Sequence, residues 1–588
     1  MNKSVEAEAA SEGYSDPCDG QDEAKHVPWS RTTTVVRLQE LGAARRAGTS
    51  ERDFEKATGT PRSTFRYWER RRNAVDSPPA VAQFFESPEG LAVLHRVVAA
   101  AQFVLNLRSP DGIRLVCEFL HQSGLDEFVG SSFGSVQKAT RRMQSEVLAY
   151  GIAQREALGR AMQPKEITVC EDETFHPEIC LVAIEPASGF ILLEQYAERR
   201  DAETWNEAMK EAMKGLPVKV IQSTADEAKA LLAHAQEAFE APHSPDVFHV
   251  QYELSRSISA PLARRVRQAE AGVEAAVVAW EKLNIERATY EAERQGPGRR
   301  RDYESRVNDA QEAIKVAERK VEEAKENQNA AREAVAGISA DYHPFRLSDG
   351  AGQSSGAVSK ALESRFAAIE TIATKADLPE RSPAGIAKAR RVLPAMAAAI
   401  QFTHKTIAAQ VAALQLPSPL RREVIERLVP GLYLERAASR APTAEKRRAG
   451  ESKAEILLSP LRDRSHPLQL VPQEERAKIE TVARGSAEVF QRSSSCVEGR
   501  NGQLSLFHHG LHRLRPEKLA ALTVIHNYFV RRVDGTTAAE RFFGSPPDDL
   551  FEHLVAKMPS PPRPAQKRAV PHLRSRPVLV EPLPAEAA

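Results

Sequence analysis

The chain has 588 residues, 42% of them apolar and 27% charged, enough for several domains with sizeable buried cores. Lys and Arg total 81 against 80 Asp and Glu, so no chain-wide basic excess marks a nucleic-acid binder and local charge has to decide. The five cysteines (Cys18, Cys117, Cys170, Cys180, Cys496) form no C-x-x-C pair. The acidic N-terminus lacks a signal-peptide core, and no run of about 18 apolar residues appears; a structural zinc knot, secretion and a membrane partner are all disfavoured.

Residues 1–30 read as a disordered leader. Residues 31–75 carry local positive charge: between 31 and 73, 11 Arg and Lys face 5 acids. Three short helices are expected there. The first spans Thr34 to Ala47. The second is capped by Ser50, with Asp53 three residues on, and broken by Gly59. The third is capped by Thr60, with Pro61 at its first position. Phe65 and Trp68 should face inward, and Arg62, Ser63, Arg66, Tyr67 and Arg70 outward. That is the outline of a helix-turn-helix whose basic second helix enters a DNA major groove, against the plainer alternative of a three-helix bundle with a solvated basic face. Residues 76–160 continue as helices, with a second short-helix pair in 123–143.

From about residue 161 the apolar period changes to that of strands. Glu166–Thr174 alternates, and Glu178–Tyr196 reads as two strands around a turn at Pro186–Gly189. A helix (201–216), a strand ending at Asp226, a helix (227–239) and a short strand at Asp246–Val250 follow. The order β-β-β-α-β-α-β is that of an α/β RNase H-like core with a mixed sheet, here 161–260, in a chain that is mostly α overall. From Leu262 to Tyr290, and again from Tyr303 to Ile338, apolar residues recur in 4,3 steps around Gly296-Pro297-Gly298. A long antiparallel coiled-coil hairpin is therefore expected over 261–340, reaching about 45–50 Å at 1.5 Å per residue. Residues 341–484 read as a helical insertion, loosely ordered over 437–475. Residues 485–558 give two further helices, and the Pro- and Arg-rich 559–588 a disordered tail.

Cutting or joining a DNA strand calls for two divalent ions about 3.5–4 Å apart, Mg2+ or Mn2+, and these hard cations take oxygen ligands. Asp172 ends the first strand and Asp226 the fourth, neighbours in such a sheet, while Glu498 begins a later helix able to pack on it. Any one of these acids alone is more commonly a cap or a solvated loop residue, and Glu171, Glu173 and Glu227 stand beside them. Arg531, Arg532 and Arg541 are candidate phosphate contacts or, equally, solvated helix ends.

The segment "CVEGRNGQLSLFHHGLHRLRPEKLAALTVIHNYFVRRVDGTTAAERFFG", with "DVFHV" after the second Asp, resembles the cores of bacterial DDE transposases that carry a helical insertion. The resemblance covers roughly 166–260 and 485–560. It implies Asp172, Asp226 and Glu498 as a metal-binding catalytic triad, with His249, Arg500, Asn501 and His508 in support. It also implies double-stranded DNA as partner (the terminal inverted repeats of a mobile element and its target), a homo-oligomer on DNA, and a bacterial cytoplasmic, nucleoid-associated location. The 272 positions between Asp226 and Glu498 exceed those of compact integrases and are accounted for by the insertion. Alternatives are a domesticated, non-catalytic DNA-binding protein, an RNase H-like nuclease, and a coiled-coil scaffold.

Overall fold

The computed structural model describes residues 30–565 except 74, 176, 177, 297, 512 and 513. Residues 1–29 of the expected leader, 566–588 of the expected tail, and the centre of the Gly296-Pro297-Gly298 turn therefore lie outside the described residues. The chain is mostly helical, with one five-stranded mixed sheet, and divides into two compact units.

Of the described residues, the first unit takes in those from 30 to 101, 116 to 136 and 559 to 565. It opens with α1 (Arg31–Arg46), α2 (Glu51–Thr58) and α3 (Arg62–Asn73) around Leu38, Leu41, Phe54, Phe65 and Trp68. Ser50 caps α2 by accepting the Asp53 N–H at 3.2 Å, and Gly59 ends it in the left-handed region at φ 67°. Thr60 does not cap α3. Its hydroxyl is buried without a partner, and the Pro61 carbonyl instead starts the ladder by accepting from Thr64 and Phe65. Helices α4 (Pro79–Phe85), α5 (Pro88–Gln102) and α6 (Ile113–Gln122) follow, then the long α7 (Phe133–Ala161), which from residue 137 on belongs to the second unit. The helical stretch Pro88–Leu107 is by length and mean hydropathy apolar enough to cross a membrane, though it is no unbroken apolar run and more than half of its apolar window is buried within the protein.

The start of the expected disordered tail is ordered. Pro561, Pro562 and Pro564 give their carbonyls to Arg31, Gly130 and Arg71, and Arg563 joins Arg31 on Glu86. Proline has no N–H to satisfy, so such a segment can lie against donors without leaving buried amides behind.

In the second unit, β1 (Lys165–Phe175), β2 (Ile179–Glu185) and β3 (Phe190–Ala197) form an antiparallel meander. Helix α8 (Ala202–Met213), β4 (Val218–Ala225), α9 (Lys229–Phe239) and β5 (His243–Pro245) complete the spatial order β3-β2-β1-β4-β5, with β4 parallel to both β1 and β5. The short strand comes three residues earlier than expected. "DVFHV" instead begins α10 (Val247–Glu293), with Asp246 as its cap. A short apolar run cannot distinguish strand from helix, and the cap decides it here.

Helix α10 and α11 (Tyr303–Asp341) pair antiparallel: Tyr290 meets Tyr303, Glu270 bridges Lys325 at 2.9 Å, and Gln251 donates to the Val335 carbonyl. The 4,3 stripe is their less exposed face throughout, with Leu283, Tyr303 and Val307 buried toward the tip. At 47 residues α10 is about 70 Å long, more than expected, because its base also belongs to the helical insertion. There Leu254, Ile258 and Leu262 join a core supplied by α12 (Ser355–Lys375), α13 (Arg381–Arg390) and α14 (Leu393–Ala413). Pro261 removes one hydrogen bond from α10, and the hydroxyl of buried Ser382 takes the freed Ser257 carbonyl at 2.7 Å.

Helices α15 (Ser418–Glu423), α16 (Val429–Ser439), α17 (Ala444–Leu458), α18 (Pro467–Leu470) and α19 (Gln473–Glu488) follow, so 437–475 is helical rather than loosely ordered. Thr443 caps α17, and Ala454, Leu458 and Leu461 are buried. The chain then returns to the sheet as α20 (Ser495–Leu511), α21 (Pro516–Tyr528), α22 (Ala538–Phe543) and α23 (Leu550–Lys557). Asn527 on α21 closes the β3 edge, accepting the Ile191 N–H and donating to its carbonyl, both at 2.9 Å.

Candidate active site

Alternate residues of β1 serve opposite faces of the sheet. Glu171 and Glu173 face α8 and α9. Glu171 is fully buried and accepts from Ser223 at 2.6 Å, and His234 lies 3.1 Å from its other oxygen. Glu173 accepts from Trp205 and Arg200. Thr168, Cys170 and Asp172 face the other way. There the Thr168 hydroxyl donates to the Val489 carbonyl, and Cys170 packs with Val497 and Leu504 of α20.

Asp172 and Asp226 each stand two residues beyond Cys170 and Thr224, the last paired residues of β1 and β4. Parallel register therefore sets the two aspartates side by side. The Cys170 thiol donates to the Ser493 carbonyl at 3.7 Å, and Cys496 packs against the same cluster, which brings the first turn of α20, the turn that carries Glu498, onto β1.

The Asp172 carboxylate accepts only the Glu173 N–H (2.8 Å) among the described residues, and Asp226 only the Ala228 N–H (2.9 Å). Exposed Glu498 has no partner among them. Burial pushes the Asp172 carboxyl up to about 7 despite the N–H it accepts, and the negative charges of Glu498, Asp226 and Asp246 add to the rise. Among the described residues no arginine or lysine forms an ion pair with Asp172, Asp226 or Glu498, whereas Glu173 pairs with Arg200.

Asp246 went unnoticed in the sequence. It is buried, caps α10 through the Phe248 N–H, and takes both the N–H and the hydroxyl of Ser494 directly before α20. It thereby ties the end of β5 to the start of the helix that carries Glu498. An Asp ahead of an apolar run is the usual capping signal, and reading the run as a strand hid it.

Arg500, expected in support, is buried in a bidentate pair with Glu194 (2.7 and 2.6 Å) that fastens α20 to β3. Asn501 lies one turn from Glu498 with its buried Oδ1 unpartnered. His249 sits in the first turn of α10 with its Nε2 likewise unpartnered. His508 is ten residues from Glu498, about 15 Å along α20, and so belongs to the other end of that helix. Arg541 is engaged by the β2–β3 turn through the Ser188 carbonyl and Arg531 bonds Gly535, which supports a structural role for both, while Arg532 reaches the Ala187 carbonyl at 3.4 Å and stays exposed. In the first unit, Arg62, Ser63, Arg66, Tyr67 and Arg70 all lie on the exposed side of α3, with Arg62 bridging Glu55 and Arg66 approaching Glu51.

The three acids are hard oxygen donors without ion-pair partners among the described residues, and Asn501, one turn from Glu498, has an unpartnered Oδ1, a chemistry that suits a divalent cation. Among the described residues no three acidic, histidine or cysteine side chains already converge within ligating distance of one point. A family model described as a family of unknown function (DUF6399) matches residues 424–570, which include α20 and all that follows it to α23. No curated protein matches the chain.

Proposed function

We propose that the chain is a DNA transposase of the DDE type, with an RNase H-like core split by the helical insertion, catalysing metal-dependent phosphoryl transfer on DNA. One observation carries the reading. Two aspartates at matched ends of adjacent parallel strands share a face of the sheet with a glutamate from the first turn of α20, and among the described residues no basic side chain pairs with them. The strand order, with a meander followed by two crossover units, supports the same core.

Asp172, Asp226 and Glu498 would hold two Mg2+ or Mn2+ ions. Such ions supply activation of the attacking oxygen and stabilisation of the leaving one. The chain's part is to keep Asp172 and Asp226 fixed by backbone hydrogen bonds while the exposed Glu498 rotates inward, and to hold α20 in place through Asp246 and Arg500. The basic face of α3 would read element ends in the major groove.

The test is cleavage of duplex DNA bearing the inverted repeats that flank the gene, in Mg2+ or Mn2+, with Asp226→Asn as control. Cleavage that survives the substitution, or that needs no divalent ion, refutes the assignment.

A further inference from the structure

A second, positively charged site lies on the same face of the sheet as Asp172. Where the insertion meets the β2–β3 turn there is a cavity of about 420 Å³ lined by Arg436, Arg440, Arg484 and Arg532, with Glu435 and Glu488 as the acids among its walls. Arg436 is committed to the structure, donating to the Ala487 and Phe490 carbonyls and to Gln491. Burial and the neighbouring Arg440 charge hold its guanidinium down to about 10. Arg440 and Arg484 are exposed and have no hydrogen-bond or ion-pair partner among the described residues. Arginines gathered in one concavity beyond what the local acids neutralise favour an oxyanion, and the planar guanidinium suits phosphate in particular.

Position narrows the choice. Glu488 lies next to Val489, whose carbonyl is bound by Thr168, and Thr168 and Asp172 share one face of β1. Asp172 pairs with Val182, and β2 runs three residues further, about 10 Å at 3.3 Å per residue, before the turn whose Ala187 lines the cavity, so the two sites lie on the order of 10–15 Å apart. With one phosphate per about 3.4 Å of duplex axis on each strand, that is about three to four nucleotides from a phosphate at the carboxylates.

We infer that the Arg436–Arg440–Arg484–Arg532 cavity binds a phosphate group, and that its source is the backbone of the DNA strand lying across the sheet. The inference of source rests on the proposed function; the oxyanion site itself rests on the cavity.

The experiment uses the full chain. Duplex DNA binding is followed by fluorescence anisotropy over a salt series, without divalent ions, for the wild type, Arg440→Ala/Arg484→Ala and Arg440→Lys/Arg484→Lys. Melting curves with and without inorganic phosphate run alongside. The alanine pair should weaken DNA binding about tenfold and reduce the salt slope by about one. Its melting temperature should be unchanged, since neither side chain has a partner to lose, and the lysine pair should recover most of the slope. An unchanged affinity and slope in the alanine pair, or a wild type that binds no DNA, overturns the inference when melting is also indifferent to phosphate. Phosphate-dependent melting that the alanine pair loses while DNA affinity stays the same overturns the DNA source in favour of a free phosphate ligand. A wild type that shows the pocket-dependent slope yet cleaves nothing in Mg2+ or Mn2+ removes the catalytic reading and leaves this site standing. One that cleaves normally with no pocket-dependent slope does the reverse.

Discussion

The two faces of β1 treat neighbouring acids in opposite ways. On one side Glu171 is fully buried with every contact answered: Ser223 donates to it, and His234 is held between it and Asn206. On the other, one residue along, Asp172 meets further carboxylates and a single backbone N–H. The first arrangement holds α9 to the sheet. The second leaves negative charge unanswered, which lowers the stability of the chain on its own and makes sense where a cation is to be bound. On the proposed reading, what surrounds a group of acids and not its residue type separates a structural role from a metal-binding one.

The sharpest way to break the contrast is to neutralise the unanswered side. Asp172→Asn and Asp226→Asn should each lower metal-dependent DNA cleavage by at least about a thousandfold while the fold is retained, as read by single-turnover cleavage beside circular dichroism. Residual cleavage near the wild-type rate in either variant would remove that residue from the site.

The same operation on the answered side should cost stability. His234→Ala leaves the buried Glu171 with Ser223 alone and is expected to destabilise the second unit by about 3–5 kcal/mol in denaturant unfolding. A cost under about 1 kcal/mol would mean that the face tolerates an unpaired acid and that the contrast is false.

Asp246→Asn tests how α20 is placed. An amide nitrogen in place of the oxygen that receives two donors from Ser494 should cost about 1–3 kcal/mol. It should also raise amide exchange over 495–498 before it does so in β1. Uniform exchange across both would make Asp246 a general core residue instead of an anchor for Glu498.

The smallest effect is a gain. Because folding raises the Asp172 carboxyl from the ordinary range to about 7, the folded chain binds more protons than the unfolded one between those values. Without divalent ions, stability attributable to this group is therefore fully present below about pH 4 and is lost as pH rises to about 7. Asp172→Asn should remove that fall and melt about 2–4 °C higher than wild type at neutral pH, with no such gain in acid. Mn2+ should raise the wild-type melting temperature and leave the variant unmoved.

Much of this was legible along the chain. The heptad stripe from Leu262 to Ile338 needed only local spacing, since two helices that bury one seam against each other must repeat it. The meander of β1–β3, the capping of α2 by Ser50 and its stop at Gly59 were likewise local. Errors arose where a local signal was ambiguous or outvoted. "DVFHV" suits a strand or a helix start. Thr60 had the right chemistry for a cap but was taken into the core. The Arg-, Pro- and Ser-rich 437–475 looks unstructured until Ala454, Leu458 and Leu461 find a surface to cover.

The sequence by itself determined the periodic elements and supplied three acids at element ends, because turns, caps and apolar repeats act over a few residues. Only the tertiary structure decided that Asp172 and not Glu171 faces α20, that Asp246 and Arg500 hold that helix, and that four arginines from distant stretches enclose one cavity. Those outcomes depend on which side of a sheet receives a helix 270 or more residues away in the chain, and strand alternation fixes that two faces exist without saying what each will meet.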